Sequence, residues 1–298
     1  MRPRAIGLGP GGACDLLPSM NIQVTPLSTG IGAEISGVDL KAPDADVRAA
    51  IYQAYLDHRI IVMRDQQDLS TDDVMAASRI LGRELEPHVF VRYHHPDTPL
   101  VMVLSNRKDE AGKEKGLRDA GSFWHSDVSY KEIPAKATLL YALEVPEEGG
   151  DTLFCDMALA YDGLSDAMKE HLDGMTAVHN YAHTPREIFK SGEVTPPPDC
   201  VHPVIRTNPE TGRKSIYINP SYTVRIEGLS DEESEALKDE IFAHCMKDDY
   251  CMRYKWRAGD VVAWDNAASM HAATTDTLDP SRHRTIWRTI ISGEGRPE

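Results

Sequence analysis

In the stretch FWHSDVSY, residues 123–130, a histidine and an aspartate stand one residue apart behind two large aromatics. On a β-strand side chains alternate faces, so His125 and Asp127 would point one way and Ser126 the other. An imidazole and a carboxylate would then converge on one point. That is two thirds of a three-ligand metal site. His271, in AWDNAASMHAA, is the favoured third ligand, because it follows a strand pattern ending in a polar turn, where a ligand could project into a barrel mouth. Other pairs compete. His179 and His183 lie four apart in TAVHNYAHTP, which reads as strand and loop, and His94 and His95 precede Pro96 in a turn-like setting. With 12 histidines in the chain, a histidine–x–carboxylate also arises by chance, and a short motif needs structural context.

Two histidines and one carboxylate on one face of a metal leave three positions open, the arrangement of non-haem Fe(II) oxygenases. Thirteen residues beyond His271, Arg284 and Arg288 lie four apart in RTIWRTII. On a strand both share a face with Ile286. Guanidinium groups directed into a core are costly unless they bind anions, and arginine suits bidentate carboxylate recognition. The plainer alternative is an edge strand with solvated or ion-paired arginines.

The order WHSD, GGDT at 149–152, WDN–x4–H at 264–271 and R–x3–R at 284–288 resembles the Fe(II)/2-oxoglutarate dioxygenases of the taurine dioxygenase and 2,4-dichlorophenoxyacetate dioxygenase family. The likeness covers roughly residues 21–293 and includes IGAEISGVDL and HRIIVMRDQ near the start. It implies a double-stranded β-helix, or jelly roll, with Fe(II) held by His125, Asp127 and His271. It implies 2-oxoglutarate chelating the iron through its keto acid end, with its distal carboxylate on Arg284 and Thr152. It further implies O₂ as the remaining cosubstrate, release of succinate and CO₂, and hydroxylation of the substrate. By the same resemblance Arg288 grips an anionic substrate group, His88 in LEPHVF joins it, and Val128 and Tyr130 flank the substrate. One departure stands out: the taurine enzyme has asparagine three residues before the tryptophan of its WHTD, where this chain has Gly121, which argues against taurine itself. A sulfonate or sulfate ester, an aryloxyalkanoate or a carboxylate metabolite is expected instead. The rival readings are desaturation or other oxidative tailoring on the same scaffold, and a non-catalytic metal-binding jelly roll.

The elements that must position these residues are short. IQVTPL, AEISGVDL, RIIVMR, PLVMVLS, ATLLYALEV, DTLFCD, CMRYKW, GDVVAWDN and RTIWRTII read as strands. ADVRAAIYQAYLDH has helical spacing at Val47, Ile51, Ala54 and Tyr55; STDDVMAASRILG opens on a Ser70 cap and closes at Gly82; a helical stretch is predicted near 157–172. LSDEESEALKDEIFAHCMK carries a capping box from Ser230 to Glu233, and Pro209–Gly212 marks a hairpin. Many short strands with inserted helices predict a mainly β fold with α cover. The polar loop 106–121, with five basic and four acidic residues, is a candidate lid.

Composition bounds the rest. The 298 residues carry a net charge of −15 without a long basic block, against a nucleic-acid or anionic-membrane partner. No apolar run is long enough to span a bilayer. Residues 1–20, broken by Gly7, Gly9, Pro10, Gly11 and Gly12, read as a disordered tail without a signal peptide, and Met20 as an alternative start. Residues 21–298 are expected to form one domain. Five widely spaced cysteines without a CxxC fit reduced thiols in a cytoplasmic protein. A homo-oligomer, dimer or tetramer, is expected.

Overall fold

The longest apolar strand pattern, ATLLYALE, becomes β7 (Ala135–Glu144), near the middle of a nine-stranded sheet. The structure is a computed structural model describing residues 22–27, 30–118, 120–183 and 197–298. The expected tail and most of the proline-bearing stretch 184–200 fall outside the described residues. In spatial order the large sheet runs β1 (Gln23–Pro26), β2 (Ala33–Ser36), β3 (Ile60–Met63), β15 (Val261–Asp265), β7, β17 (Thr285–Ser292), β6 (Thr98–Ser105) and β5 (His94–His95), with β4 (Leu85–Glu86) also on β17. All its pairings are antiparallel except β2 with β3. A smaller sheet, β14 (Cys251–Tyr254), β8 (Thr152–Asp156) and β16 (Ser269–Ala273), faces it. Nearby are the three-stranded β10 (Cys200–Pro203), β9 (Thr176–His179), β13 (Thr223–Ile226) and the hairpin β11 (Ile205–Thr207), β12 (Lys214–Ile216).

Period-two alternation divides the core. Leu140, Ala142, Val262, Trp264 and Ile286 point inward and meet Phe154, Met252 and Tyr254 of the small sheet. Their neighbours Leu139, Tyr141, Val261 and Ala263 point outward, beneath α1 (Ala45–His58) and α2 (Thr71–Ser78). The outer face of the small sheet, with Cys155 and Met270, is covered by α3 (Met157–Asp162), α4 (Asp166–Leu172) and α5 (Asp231–Cys245). Helix, sheet, sheet, helix is the jelly roll with α cover that the pattern predicts.

Local chemistry explains the helix bounds. Asp44 caps α1 by accepting from Val47 N at 2.9 Å, a contact worth about 1 kcal/mol. Val47, Ile51, Ala54 and Tyr55 are its buried residues, as their spacing predicts. Capping boxes open α2 at Ser70 and α5 at Ser230. α2 ends at Ser78, short of Gly82, and turns continue from there. The stretch 157–172 is two helices. A Cβ at Gly163 would lie 1.9 Å from the Tyr250 hydroxyl oxygen, so that close approach requires glycine where α3 stops. Ser165 then caps α4. Asp156 caps α3 and also pairs with Arg59 at the end of α1, tying the helix layer to β8.

Candidate functional site

His271 lies on β16, opposite Phe154 of β8. His125 reaches it by a different route from the predicted one. Residues 123–130 form no regular strand. His125 makes a single antiparallel bridge to His271, with N–O distances of 3.0 and 2.9 Å, and the chain then turns through 127–130 with Val128 at φ 60°. The turn replaces the expected alternation, because only one pair of backbone groups finds a partner on β16. His125 and Asp127 still converge.

The ligand atoms of His125, Asp127 and His271 all lie within 4.8 Å of one another, and all three residues are buried. His125 Nε2 is 3.4 Å from Asp127 Oδ1, and His271 Nε2 is 3.6 Å from Oδ2. Two ligands about 2.1 Å from a shared octahedral ion, at right angles, sit about 3 Å apart, so the spacing suits an ion with three protein donors. His125 Nδ1 is hydrogen-bonded to Phe123 O at 2.8 Å, which leaves Nε2 for a ligand. Burial, then the neighbouring His125, pushes His271 well below the ordinary imidazole range, so it stays neutral. Burial raises the Asp127 carboxyl, but Arg288 and both imidazoles outweigh it and hold it well below the usual range. Neutral imidazoles and an ionised carboxylate are what a divalent ion needs.

A polar scaffold holds the carboxylate. Thr138 on β7 donates to Asp127 Oδ2 at 2.7 Å, and Asn266 Nδ2 donates to Thr138 Oγ1 at 3.0 Å. Asn266 Oδ1 accepts from Asp127 N and from Trp264 Nε1. The Trp264 ring also packs on His271, 4.5 Å between centroids.

Two cavities meet at this cluster. One, a narrow space of about 30 Å³, is lined by His125, His271, Thr152, Arg284 and Arg288, so it joins the two histidines of the triad to the Arg284 end of β17. β17 lies between β7 and β6, so Arg288 is not on an edge strand, although it does have the acidic partner that the plainer alternative allowed, Asp127. Arg284 is 6% exposed, and burial lowers its guanidinium to about 10. Its Nε donates to Gly150 O at 3.0 Å, with the guanidinium 5.9 Å from the Trp256 ring. No carboxylate among the described residues forms an ion pair with it. Gly149 and Gly150 both have positive φ, and a Cβ at Gly150 would stand 3.0 Å from Arg284 Cδ. The GGDT turn is therefore a bed for this arginine. Thr152 Oγ1 accepts from Trp256 Nε1 at 3.0 Å, leaving its own proton to donate.

The second cavity, of about 20 Å³, is lined by His88, Gly121, Val128, Tyr130, Tyr222 and Arg288, among others. Arg288 Nη2 reaches Asp127 Oδ1 at 2.6 Å, and its Nε is buried without a hydrogen-bond partner among the described residues. Tyr130 stacks on Tyr181 at 4.3 Å, and Tyr222 stands edge-on to Tyr130 at 5.0 Å. Every site residue expected from the sequence thus borders one cavity or the other.

The competing histidines go elsewhere. His179 is fully buried beside His202 and Tyr217. His94 and His95 form β5 and pair with β6, so they are strand rather than turn. Sequence reasoning missed Tyr181, Tyr222, Thr138 and Asn266. Asn266 stood inside the quoted WDN motif, and Thr138 was a lone hydroxyl in an apolar strand. The loop 106–121 is pinned to β6, where Leu117 N donates to Val103 O at 2.9 Å.

The sequence matches the profile of the taurine catabolism dioxygenase TauD, TfdA family over residues 23–290. A Pseudomonas putida alpha-ketoglutarate-dependent sulfate ester dioxygenase is 30% identical over 293 residues, 93% of this chain and 91% of that protein. Among solved structures, a taurine dioxygenase from Burkholderia xenovorans aligns with a TM-score of 0.78 at 34% identity, over 93% of both chains. AAD-2 in complex with Mn(II) and N-oxalylglycine aligns with a TM-score of 0.75 at 26% identity, over 94% of this chain and all of that one. No helix among the described residues is long and apolar enough to cross a membrane.

Proposed function

The chain belongs to the TauD, TfdA family, and from that premise we propose that it hydroxylates a small anionic organic molecule: a sulfonate or sulfate ester, an aryloxyalkanoate or a carboxylate metabolite. It is an Fe(II)- and 2-oxoglutarate-dependent dioxygenase. Bound Fe(II), 2-oxoglutarate and O₂ supply the oxidising power, with succinate and CO₂ as coproducts. The protein's part is positioning. His125, Asp127 and His271 would hold the metal. Arg284 and the Thr152 hydroxyl receive the distal carboxylate of 2-oxoglutarate, and Arg284 stays cationic because even its lowered value lies above neutrality. On the other side Arg288 and His88 take the anionic group of the substrate. Val128 and Tyr130, with Tyr181 and Tyr222 behind them, exclude water and aim the reacting C–H bond.

The observation that carries this reading is the buried Arg284, free of any ion pair among the described residues, in the cavity that begins at His125 and His271. A cationic end and a metal end suit a keto dicarboxylate. A hydroxyl placed beside a heteroatom would collapse with cleavage of the C–S or C–O bond. The test is anaerobic titration with Fe(II) and 2-oxoglutarate, then a substrate panel read by succinate release and product mass. Succinate release stimulated by none of the anionic compounds, but by neutral ones, would sink the substrate class. A product two hydrogens lighter than substrate would move the reading to desaturation. Residence in the cytoplasm and a dimer or tetramer belong to the same proposal, and light scattering tests the latter.

A further inference from the structure

On the face of the small sheet turned away from the iron site, two thiols stand opposite each other. Cys155 of β8 and Cys251 of β14 are direct cross-strand partners. The adjacent pair carries the ladder hydrogen bond, from Asp156 N to Tyr250 O at 2.8 Å. By the alternation of antiparallel ladders, Cys155 and Cys251 are then a non-hydrogen-bonded pair, with Cα atoms about 4.5 Å apart. That falls within the span a disulfide bridges, about 4.4–6.8 Å. Both sulfurs lie over one acceptor: Cys155 Sγ is 3.2 Å and Cys251 Sγ 3.4 Å from the carbonyl oxygen of Cys245. Cys155 is buried, while Cys251 is reachable from solvent. The hydrogen bond from the Cys155 thiol pulls Cys251 below the ordinary thiol range and pushes Cys155 up, so Cys251 is the better nucleophile.

We propose that Cys155 and Cys251 form a reversible disulfide between β8 and β14 when the enzyme meets a peroxide. The Cys251 thiolate attacks one peroxide oxygen, the O–O bond breaks, and Cys251 becomes a sulfenic acid as the peroxide is reduced to water. The Cys155 sulfur then attacks Cys251 Sγ. The S–S bond forms, the S–O bond breaks, and a second water leaves with the Cys155 proton. Two thiols have lost two electrons to one peroxide, and an external thiol reverses the step. The bond staples β8, whose opposite face carries Thr152 and Phe154, to its neighbour. Transient, redox-sensing disulfides are the kind expected in a reducing compartment.

The test uses the full chain loaded with Fe(II), and a parallel sample with Zn(II) in its place. Each is treated with hydrogen peroxide, alkylated under denaturing conditions, digested without reduction and read by mass spectrometry. The expected result in both is a peptide pair joined through Cys155 and Cys251, abolished by dithiothreitol, with two fewer alkylated thiols than the five in the chain. Cys251→Ser should lose the link and Cys200→Ser should keep it. The proposal is overturned by peptides that stay unlinked, by links through Cys14, Cys200 or Cys245 instead, or by Cys251 accumulating as sulfinic acid beside an alkylatable Cys155. Linkage confined to the iron-loaded sample also overturns it, since radical chemistry at the metal would then be the cause.

Discussion

The two cavities that share Ala120, His125 and Arg288 are built mostly from different material. Toward Arg284 most of the wall, Leu104, Leu140, Thr152, Trp264, His271 and Ala273, sits on hydrogen-bonded strands, with Ala120 the loop residue among them. Toward His88 the walls are Leu117, Gly121, Val128, Tyr130, Tyr181 and Tyr222, none of which lies in a regular strand or α-helix. A strand residue is held by ladder bonds to its neighbours, so its side chain direction is nearly fixed. A loop residue is held mainly by its own contacts, and loops on a rigid scaffold are where binding selectivity commonly lives. The cavity assigned to the cosubstrate, which the reaction always needs, is the rigid one. The cavity assigned to the substrate is lined by segments that can differ without disturbing the sheets.

The largest effect should come from the boundary between them. His125→Ala or His271→Ala removes one of three protein donors. Mn(II) titration calorimetry should show tight binding abolished, with turnover lost. Full turnover in the His271 variant would reopen His88, His179 or His183 as the third ligand.

The arginines divide the two sides most sharply. Arg284→Gln should weaken 2-oxoglutarate by about 2–5 kcal/mol, the range for truncating one member of a buried charge pair. Arg288→Gln should leave 2-oxoglutarate affinity within a few-fold and raise KM for an anionic substrate. Titrating each variant with each ligand decides it. Equal loss of 2-oxoglutarate affinity in both would erase the division, and unchanged substrate kinetics in the Arg288 variant would remove the argument for an anionic substrate.

A smaller change probes how closely the loop side touches the metal. Gly121 has φ +76°, and a Cβ there would lie 2.5 Å from His125 Cε1. Gly121→Ala must therefore move either the loop or the imidazole. The expected result is a loss of about 10–100-fold in metal affinity, the scale for disturbing the groups around a ligand, with thermal stability nearly unchanged. Unaltered Mn(II) affinity would mean that the loop yields alone.

This contrast also explains what could be read in advance. The cosubstrate side was legible because strand alternation and adjacent glycines leave periodic marks: Arg284, Ile286 and Arg288, or GGDT beside Thr152. The triad was legible by residue type, although its local geometry was not. The same-face argument for His125 and Asp127 supposed a strand at 123–130, yet a single bridge to His271 exhausts its pairing and Val128 turns the chain. Tyr181 and Tyr222 left no mark, since a tyrosine in irregular backbone has no period and only the tertiary fold brings it to Tyr130. His94 and His95 were misjudged because a proline after paired histidines looks like a turn, whereas β6 offers them an edge to join.

The gentlest test asks whether the loop side loosens first. Beneath the 127–130 turn, His179 Nδ1 lies 3.3 Å from Ser129 Oγ, which also accepts from Asn219 Nδ2 at 3.0 Å. Burial, reinforced by His202, pushes His179 down to about 3. In the unfolded chain the same imidazole titrates near 6.5. Below that pH the unfolded state binds the proton and the folded state does not. The stabilisation is therefore complete above 6.5 and is lost progressively as pH falls toward 3, at up to about 1.4 kcal/mol per pH unit from this group. The strain enters at the turn that carries Val128 and Tyr130, far from Arg284 along the cavity wall. Hydrogen exchange between pH 6.5 and 5, corrected for the intrinsic pH dependence of exchange, should show protection at 127–130 and 219–223 falling faster than at 285–292. His179→Gln should remove most of that difference. Parallel loss in both regions would mean that the two cavities open as one unit, and the division drawn from their backbones would then have no counterpart in their stability.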